Sequence, residues 1–242
     1  MMALSENIYD PAFVKAVFDR CSERYITFSY ICSMGFTERW RKECVTALCL
    51  EPEAKSGYDL MAGTGEAWPH LLAAHPGIEY VTAVDISSGM HLRAVERLHS
   101  MRNNSIRFIE NDVLASDLPD ASADFVVSTF GLKTFNLEQQ RQLADLTARV
   151  LRPGGRFAFI EASDPKGWWL RRLYLFHLKT VLPLIERVLL RGAQDFAMIG
   201  TYSTRFGDAQ NFVEMLREAG LQSEFRKSFF GCATLAVGAK RI

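Results

Sequence analysis

The chain has 242 residues, of which 48% are hydrophobic, and a chain of this length and composition can bury one large core. Its formal net charge is zero, so charge gives no support to a nucleic acid or an acidic polymer as a partner. The five cysteines are odd in number and irregularly spaced, which argues against a disulfide framework or a metal site and fits a reducing cytoplasm.

Targeting signals are not evident, so we expect a cytoplasmic protein. Residues 1–10 lack the basic and apolar regions of a secretory signal. No apolar run reaches the length of about 18 residues that a membrane-spanning helix needs. The nearest stretch, residues 168–190, is interrupted by arginine, lysine and glutamate side chains.

The first 52 residues are predicted to form an N-terminal helical cap. Phe13, Val14 and Val17 recur at helical spacing, and a further helix is predicted over residues 38–50. Pro52 closes this part of the chain, because proline does not continue a helix.

From residue 58 onward, short apolar runs alternate with amphipathic segments. This alternation is typical of a parallel sheet with helices on both faces. The predicted strands cover residues 58–62, 80–85, 105–110, 124–130 and 156–161, and the predicted helices cover residues 66–74, 88–100 and 137–150.

The alternation stops after Asp164. Residues 165–207 are predicted to form a helical lid insertion, and residues 208–219 form another helix. Two strands over 222–229 and 233–240 are predicted to pair in antiparallel fashion, because their link is short. The whole chain, 1–242, is therefore predicted to be one Rossmann-like α/β domain with a seven-stranded mixed sheet.

A glycine loop lies between the first predicted strand and the following helix. Gly63 and Gly65 allow the backbone to approach a ligand closely, since they carry no Cβ. Asp85 ends the next strand about 20 residues on, where a carboxylate can accept both hydroxyls of a ribose. This pattern predicts a nucleoside cofactor but does not separate NAD from S-adenosylmethionine (SAM). The competing interpretation is a tight turn with a surface aspartate.

Three features favour SAM. Trp68 stands where a dinucleotide fingerprint has its third glycine. Asp112 and Val113 follow the third strand, where they can hold an adenine edge. The antiparallel pair at the C-terminus also belongs to the methyltransferase topology rather than to the dinucleotide-binding one.

Several ordered motifs resemble the UbiE/MenG family of ubiquinone/menaquinone biosynthesis C-methyltransferases. The likeness covers roughly residues 17–240. The motifs are Ser33-Met34-Gly35 with Arg39-Trp40-Arg41, Asp59 through Glu66, Val84-Asp85-Ile86-Ser87 with Met90, Asp117-Leu118-Pro119-Asp120, Phe130-Gly131-Leu132, and Arg149 through Gly155.

The resemblance implies that SAM binds at the strand ends and that a ring carbon of a quinol-like or aromatic small molecule is methylated. Gly63 and Gly65 would line the methionine side, Asp85 would bind the ribose, Met90 would lie near the adenine, and Asp112 with Val113 would receive the adenine amine. The full set of cofactor-binding residues carried over is Asp59, Ala62, Gly63, Thr64, Gly65, Asp85, Ile86, Met90, Asp112, Val113, Thr129 and Phe130.

The departures from the family pattern fall in the substrate half. The family usually reads Phe-Gly-Leu/Ile-Arg-Asn where this chain has Phe130-Gly131-Leu132-Lys133-Thr134. Arginine and lysine are not interchangeable at a bidentate site. The alternatives therefore include an O- or N-methyltransferase of natural products, a SAM-dependent enzyme that transfers an amino group to a quinone, and a non-catalytic SAM-binding subunit.

Three side chains are candidates for the chemistry, each with an ordinary competing interpretation. Lys133 follows the fourth strand and could stabilise a phenolate or take its proton, but it could equally be a surface lysine. His177 could be the base, or it could pack in the core. Tyr25 could orient a substrate oxygen, or it could pack among aromatic residues.

The aromatic segment after residue 167 has two interpretations. Trp168, Trp169 and Phe176 could form a lid that admits an apolar substrate at a membrane surface. The same residues could instead be a helical insertion that packs on the sheet. The residues do not decide between a monomer and a homodimer.

Overall fold

A seven-stranded sheet forms the centre of the computed structural model, which describes residues 7–101, 105–181, 184 and 196–242. The strand order is β3-β2-β1-β4-β5-β7-β6, and β7 alone runs antiparallel to both of its neighbours. The strands are β1 (Ser56–Leu60), β2 (Tyr80–Asp85), β3 (Ile106–Glu110), β4 (Ala123–Thr129), β5 (Leu151–Ala162), β6 (Leu221–Ser228) and β7 (Ala233–Lys240). The predicted Rossmann-like mixed sheet is confirmed.

Helices cover both faces of this sheet. Those described are α1 (Pro11–Cys21), α2 (Tyr25–Cys32), α3 (Phe36–Ala47), α4 (Trp68–Ala74), α5 (Ser88–Met101), α6 (Leu137–Val150), α7 (Arg171–Phe176), α8 (Phe196–Phe206) and α9 (Gln210–Glu218). A π-helical stretch, His177–Val181, continues from α7. No helix within the described ranges is long and apolar enough to cross a membrane.

Local sequence explains where α6 begins. The Asn136 side chain accepts a hydrogen bond from the Gln139 backbone, and the Gln139 side chain accepts one from the Asn136 backbone. This reciprocal capping satisfies two donors that would otherwise lack partners at the start of the helix. The predicted bounds of α6 are confirmed.

The two central strands approach each other closely at a glycine. Gly57 of β1 pairs with Phe125 of β4, and a Cβ on Gly57 would lie 2.5 Å from the Phe125 carbonyl oxygen. Phe125 is fully buried, as are Leu60 and Val127 on the same two strands. This tight core holds the carboxyl ends of β1 and β4 in fixed positions beside each other.

Several predicted elements have different bounds in the structure. Strand β1 covers Ser56–Leu60 rather than 58–62, because the backbone turns to positive φ angles at Met61 and Gly63, and α3 covers Phe36–Ala47 rather than 38–50. Strand β5 begins at Leu151 rather than 156, because the turn-like Pro153-Gly154-Gly155 run is included in the strand. Helix α4 begins at Trp68 rather than 66, because Gly65 in the preceding loop has a positive φ angle, which a right-handed helix does not contain. The predicted lid includes residues 182–183 and 185–195, and the predicted cap includes 1–6; these lie outside the described residues.

Candidate active site

A cavity of about 830 Å³, including its open mouth, lies at the carboxyl ends of β1, β2 and β4. Ligands of open α/β sheets bind at this edge. Most of the predicted cofactor-binding residues line its wall, namely Ala62, Gly63, Asp85, Ile86, Met90, Asp112, Val113, Thr129 and Phe130. We call it the first cavity.

Asp85 presents an oriented carboxylate to the first cavity. Its Oδ2 accepts a hydrogen bond from Gly63 N at 2.7 Å, and its Oδ1 accepts one from Ser87 N at 2.9 Å. Burial raises the pKa of Asp85 above its ordinary value, although both backbone donors act to lower it. An ionised carboxylate offers about four acceptor positions, so two remain for the hydroxyls of a ribose.

Gly63 leaves room for a ligand beside this carboxylate. Its φ is +57°, and an added Cβ would have no protein atom within 4 Å. Such open space next to a glycine that lines a cavity is what close approach of a ligand requires. The residues present therefore fit the nucleoside of SAM.

The structure gives a different reason for Gly65. An added Cβ there would lie 2.3 Å from the Trp68 ring, which is fully buried. Gly65 and Thr64 are not part of the first cavity's wall, so the glycine at position 65 permits packing of the tryptophan. The predicted direct role of these two residues at the ligand gains no support from this geometry.

Asp59 also lies behind the wall. Its Oδ2 accepts a hydrogen bond from Trp68 Nε1 at 2.7 Å, and the side chain is 1% exposed. Burial raises the pKa of Asp59 to about 7. The carboxyl group thus anchors Trp68 beneath the glycine loop, and its predicted role at the cofactor gains no support from this geometry.

Helix α1 of the N-terminal cap forms part of the wall of the first cavity. The sequence predicted the cap but not its contact with this cavity. Pro11, Val14 and Phe18 contribute to its wall. Lys15 Nζ donates to Ile86 O at 3.1 Å, and Asp19 Oδ1 accepts from Ser87 Oγ at 2.6 Å and from Gly89 N at 2.9 Å. These bonds tie α1 to the start of α5, and only the folded chain brings the two segments together.

A second cavity of about 1390 Å³, again including its mouth, adjoins the first. Its walls come mainly from α2, α3, α7 and the turn before β7, and they are overwhelmingly apolar. Tyr25 and Phe130 line both cavities, so they stand at the boundary between them. This juxtaposition was not predicted from the sequence.

All three predicted catalytic candidates lie on the wall of the second cavity. Lys133 is 4% exposed, so its interpretation as a surface lysine is wrong. Burial among apolar groups raises the pKa of Tyr25, which keeps its hydroxyl protonated at neutral pH. His177 lies in the π-helical stretch and faces the same cavity.

Arg41 is a further polar group of the first cavity. Its Nη2 donates to Glu66 Oε2 at 2.7 Å, and its Cζ lies 5.3 Å from the centroid of the Phe130 ring. The motif Arg39-Trp40-Arg41 was recognised in the sequence, but its partner at the end of the glycine loop was not.

A seven-stranded sheet in this order, with a glycine loop and an acidic strand end at one cavity, defines a SAM-dependent methyltransferase. The model of the ubiE/COQ5 methyltransferase family matches residues 2–240. The chain belongs to this family, which confirms the resemblance drawn from its motifs.

Similar proteins carry related names. A demethylmenaquinone methyltransferase of Geobacillus kaustophilus is 26% identical over 230 residues, which cover 94% of this chain and 97% of the relative. One of Bacillus mycoides is 25% identical over 229 residues, with 94% and 95% coverage.

Solved structures show the same fold at lower identity. A putative methyltransferase in complex with the Haloferax volcanii Trm112 activator superposes with a TM-score of 0.66 at 17% identity, covering 93% of this chain and 98% of that one. Human N-acetylserotonin methyltransferase in complex with SAM superposes with a TM-score of 0.64 at 19% identity, covering 99% of this chain and 61% of that one.

Proposed function

We propose that this methyltransferase acts on a ring carbon of a quinol-like aromatic small molecule. The observation that carries the proposal is the pair of adjoining cavities that share Tyr25 and Phe130. The first has an oriented carboxylate suited to a nucleoside, and the second is a large apolar chamber suited to an aromatic ring with an apolar substituent. The names of the relatives agree with such a substrate.

The first cavity would hold SAM through Asp85 at the ribose and through Met90 and Val113 at the adenine. Asp112 Oδ1 already accepts from Leu114 N at 3.0 Å, which leaves its other oxygen for the adenine amine. When bound, SAM supplies an electrophilic methyl group on a sulfonium.

The second cavity would prepare the ring. Its apolar walls offer few hydrogen-bond partners to water, and the protonated Tyr25 hydroxyl can donate a hydrogen bond to a substrate oxygen at the boundary. A ring carbon becomes nucleophilic when a neighbouring hydroxyl loses its proton. His177, at the same wall, is the residue that we propose to accept this proton.

The proposal predicts methylation on carbon. Purified protein, SAM and a reduced naphthoquinone that lacks a ring methyl should yield S-adenosylhomocysteine and a product heavier by one CH2 unit. Mass spectrometry after chemical acetylation of the free hydroxyls will show two acetyl groups on a C-methylated quinol and one on an O-methylated quinol. The dimethyl ether of the same quinol is the control and should not react, because it has no proton to lose.

An O-methylated product would contradict the proposal and support the alternative drawn from the sequence. Addition of an amino group would support an amino-transferring enzyme instead. SAM binding without any S-adenosylhomocysteine in the presence of quinols, catechols and amines would support a non-catalytic subunit.

We also propose that the rim of the second cavity contacts a lipid bilayer. Trp169 is 83% exposed and Phe230 is 66% exposed, and Phe230 stacks on Trp168 of the cavity wall with ring centroids 5.4 Å apart. Arg172, which is exposed and follows Trp169 by three residues in the chain, suits anionic headgroups. A homodimer stays a prediction that these features do not address.

Co-sedimentation with phosphatidylglycerol vesicles is the test of this contact. Trp169→Glu should weaken vesicle binding about tenfold, since a charge at the interface opposes insertion of an apolar rim. Tyr80→Glu is the matched control, because Tyr80 is 68% exposed at the start of β2 and lines neither cavity. Equal binding of both variants would contradict the contact.

A further inference from the structure

Lys133 and Glu161 form a buried ion pair behind the boundary of the two cavities. The Lys133 Nζ lies 2.7 Å from Glu161 Oε1, and the side chains are 4% and 0% exposed. Glu161 Oε2 also accepts from Lys133 N at 3.0 Å, and Oε1 accepts from Ala162 N at 2.8 Å. The carboxylate therefore binds both the main chain and the side chain of one lysine.

The same lysine holds the backbone of Phe130. Its Nζ donates to Phe130 O at 2.6 Å, while Phe130 N donates to Ile160 O at 2.9 Å. Phe130 has a φ of +67°, in the left-handed region that non-glycine residues seldom adopt. A backbone in this region persists where its surroundings impose it, and here bonds on both sides of the residue do so.

The turn at residues 131–134, which follows Phe130, is packed against Met61 on the side of the first cavity. An added Cβ on Gly131 would lie 2.4 Å from Met61 Cβ, and Thr134 Oγ1 donates to Gly131 O at 2.7 Å. Met61 and Thr134 belong to the first cavity, whereas Lys133 belongs to the second. The turn is thus the wall between the chambers, and the ion pair fastens it to the end of β5.

We propose that Lys133 and Glu161 are positioning residues that hold Phe130 at this boundary and so set the alignment of the substrate ring with the methyl donor. The inference rests on the proposed function. An ammonium in contact with a carboxylate and a carbonyl has its charge already compensated, which leaves little to stabilise a phenolate. Displacing a reacting group by about 1 Å can cost about 100-fold in rate, so a wall fastened by an ion pair can control turnover.

A double-mutant cycle tests the proposal with Lys133→Met, Glu161→Gln and the combined variant. Lys133→Met leaves a buried carboxylate without its cation, and Glu161→Gln leaves a buried ammonium without its anion. The combined variant leaves neither charge unpaired. Glutamine also keeps an acceptor for Lys133 N. Three quantities are measured: kcat, the affinity for 2-methyl-1,4-naphthoquinone from quenching of Trp40 and Trp168 in the second cavity, and the affinity for SAM from calorimetry.

We expect each single variant to lower kcat about 10- to 100-fold and to weaken binding of the naphthoquinone about fivefold, while the SAM dissociation constant stays within about threefold. The combined variant should be about as slow as Lys133→Met and should bind the probe about as weakly, because either single variant already removes the pair that holds Phe130. Near-UV circular dichroism checks that each variant is folded. If Lys133→Met is unfolded, the proposal is tested by comparing kcat and probe affinity between Glu161→Gln, the combined variant and the wild type.

Two results would overturn the proposal. In the first, Glu161→Gln is as fast as the wild type although Lys133→Met and the combined variant are slow, as expected if the ammonium acts on the substrate directly. In the second, the naphthoquinone binds equally well to all four proteins. A wild type that methylates no quinol would refute the proposed function, and the cycle in probe affinity would still decide the positioning role.

Discussion

Asp85→Ala should weaken SAM binding about 100-fold or more. Hydrogen bonds to a charged acceptor contribute about 1.5–3 kcal/mol each, and Asp85, which lines the first cavity, keeps two acceptor positions beyond its bonds from Gly63 N and Ser87 N. Losing two such bonds costs about 3 kcal/mol or more, which corresponds to about two orders of magnitude in the dissociation constant. Isothermal titration calorimetry in the absence of substrate measures this directly.

Asp120→Ala provides the matched control for this substitution. Asp120 is an exposed aspartate whose ion pair with Arg149 lies on the surface, so its loss should leave SAM affinity within about twofold. Thermal unfolding of Asp85→Ala shows whether the glycine loop, which Asp85 holds through Gly63 N, stays folded. An unchanged dissociation constant in a folded Asp85→Ala protein would remove Asp85 from the cofactor site.

Alanine at the two glycines of the loop should have different main effects: lost stability at Gly65 and lost SAM affinity at Gly63. Gly65→Ala places a Cβ 2.3 Å from a buried tryptophan ring at a φ of +73°, so it should destabilise the fold by about 3 kcal/mol. Gly63→Ala meets no protein atom, so it should cost only the backbone strain of about 1 kcal/mol. Its new methyl group faces the first cavity and should weaken SAM binding at least about tenfold.

Gly220→Ala is the control for backbone strain alone. Gly220 has a φ of +89° with no atom within 4 Å of an added Cβ, and it follows α9 away from both cavities. In urea unfolding, the free energy of unfolding of Gly220→Ala should equal that of Gly63→Ala. In calorimetry, its SAM dissociation constant should equal that of the wild type. If Gly65→Ala proved as stable as Gly220→Ala, the packing explanation for Gly65 would be wrong.

Local patterns in the sequence were sufficient for the sheet and for the strand-end residues that line the first cavity. Three local signals each depend on only a few neighbouring residues, so one sequence is enough to recognise them. They are the alternating apolar runs, the capping residues of α6 and the acid at the end of β2. Strands β2 and β7 and helix α6 were therefore predicted with the bounds that the structure has. Gly63 and Asp85 were predicted to share one site for the same reason, since a strand followed by a glycine turn or an acid is a local signal, and both line the first cavity.

Roles that depend on partners distant in the chain could not be read in this way. Gly65 resembles a ligand-binding glycine until Trp68 is seen packed on it. Lys133 resembles a loop lysine until Glu161, 28 residues away, is found beside its ammonium. The α1 contacts through Lys15 and Asp19 join segments about 70 residues apart.

The sequence by itself thus determined the class of fold and which strand ends line the first cavity, because both follow from short-range periodicity and from the shared edge at which parallel strands end. Only the tertiary structure decided that two cavities meet at Tyr25 and Phe130, and that a buried ion pair holds the wall between them. The physical reason is that burial and pairing are properties of the packed chain: the same lysine is a solvated cation or a structural tie, depending on what lies against it.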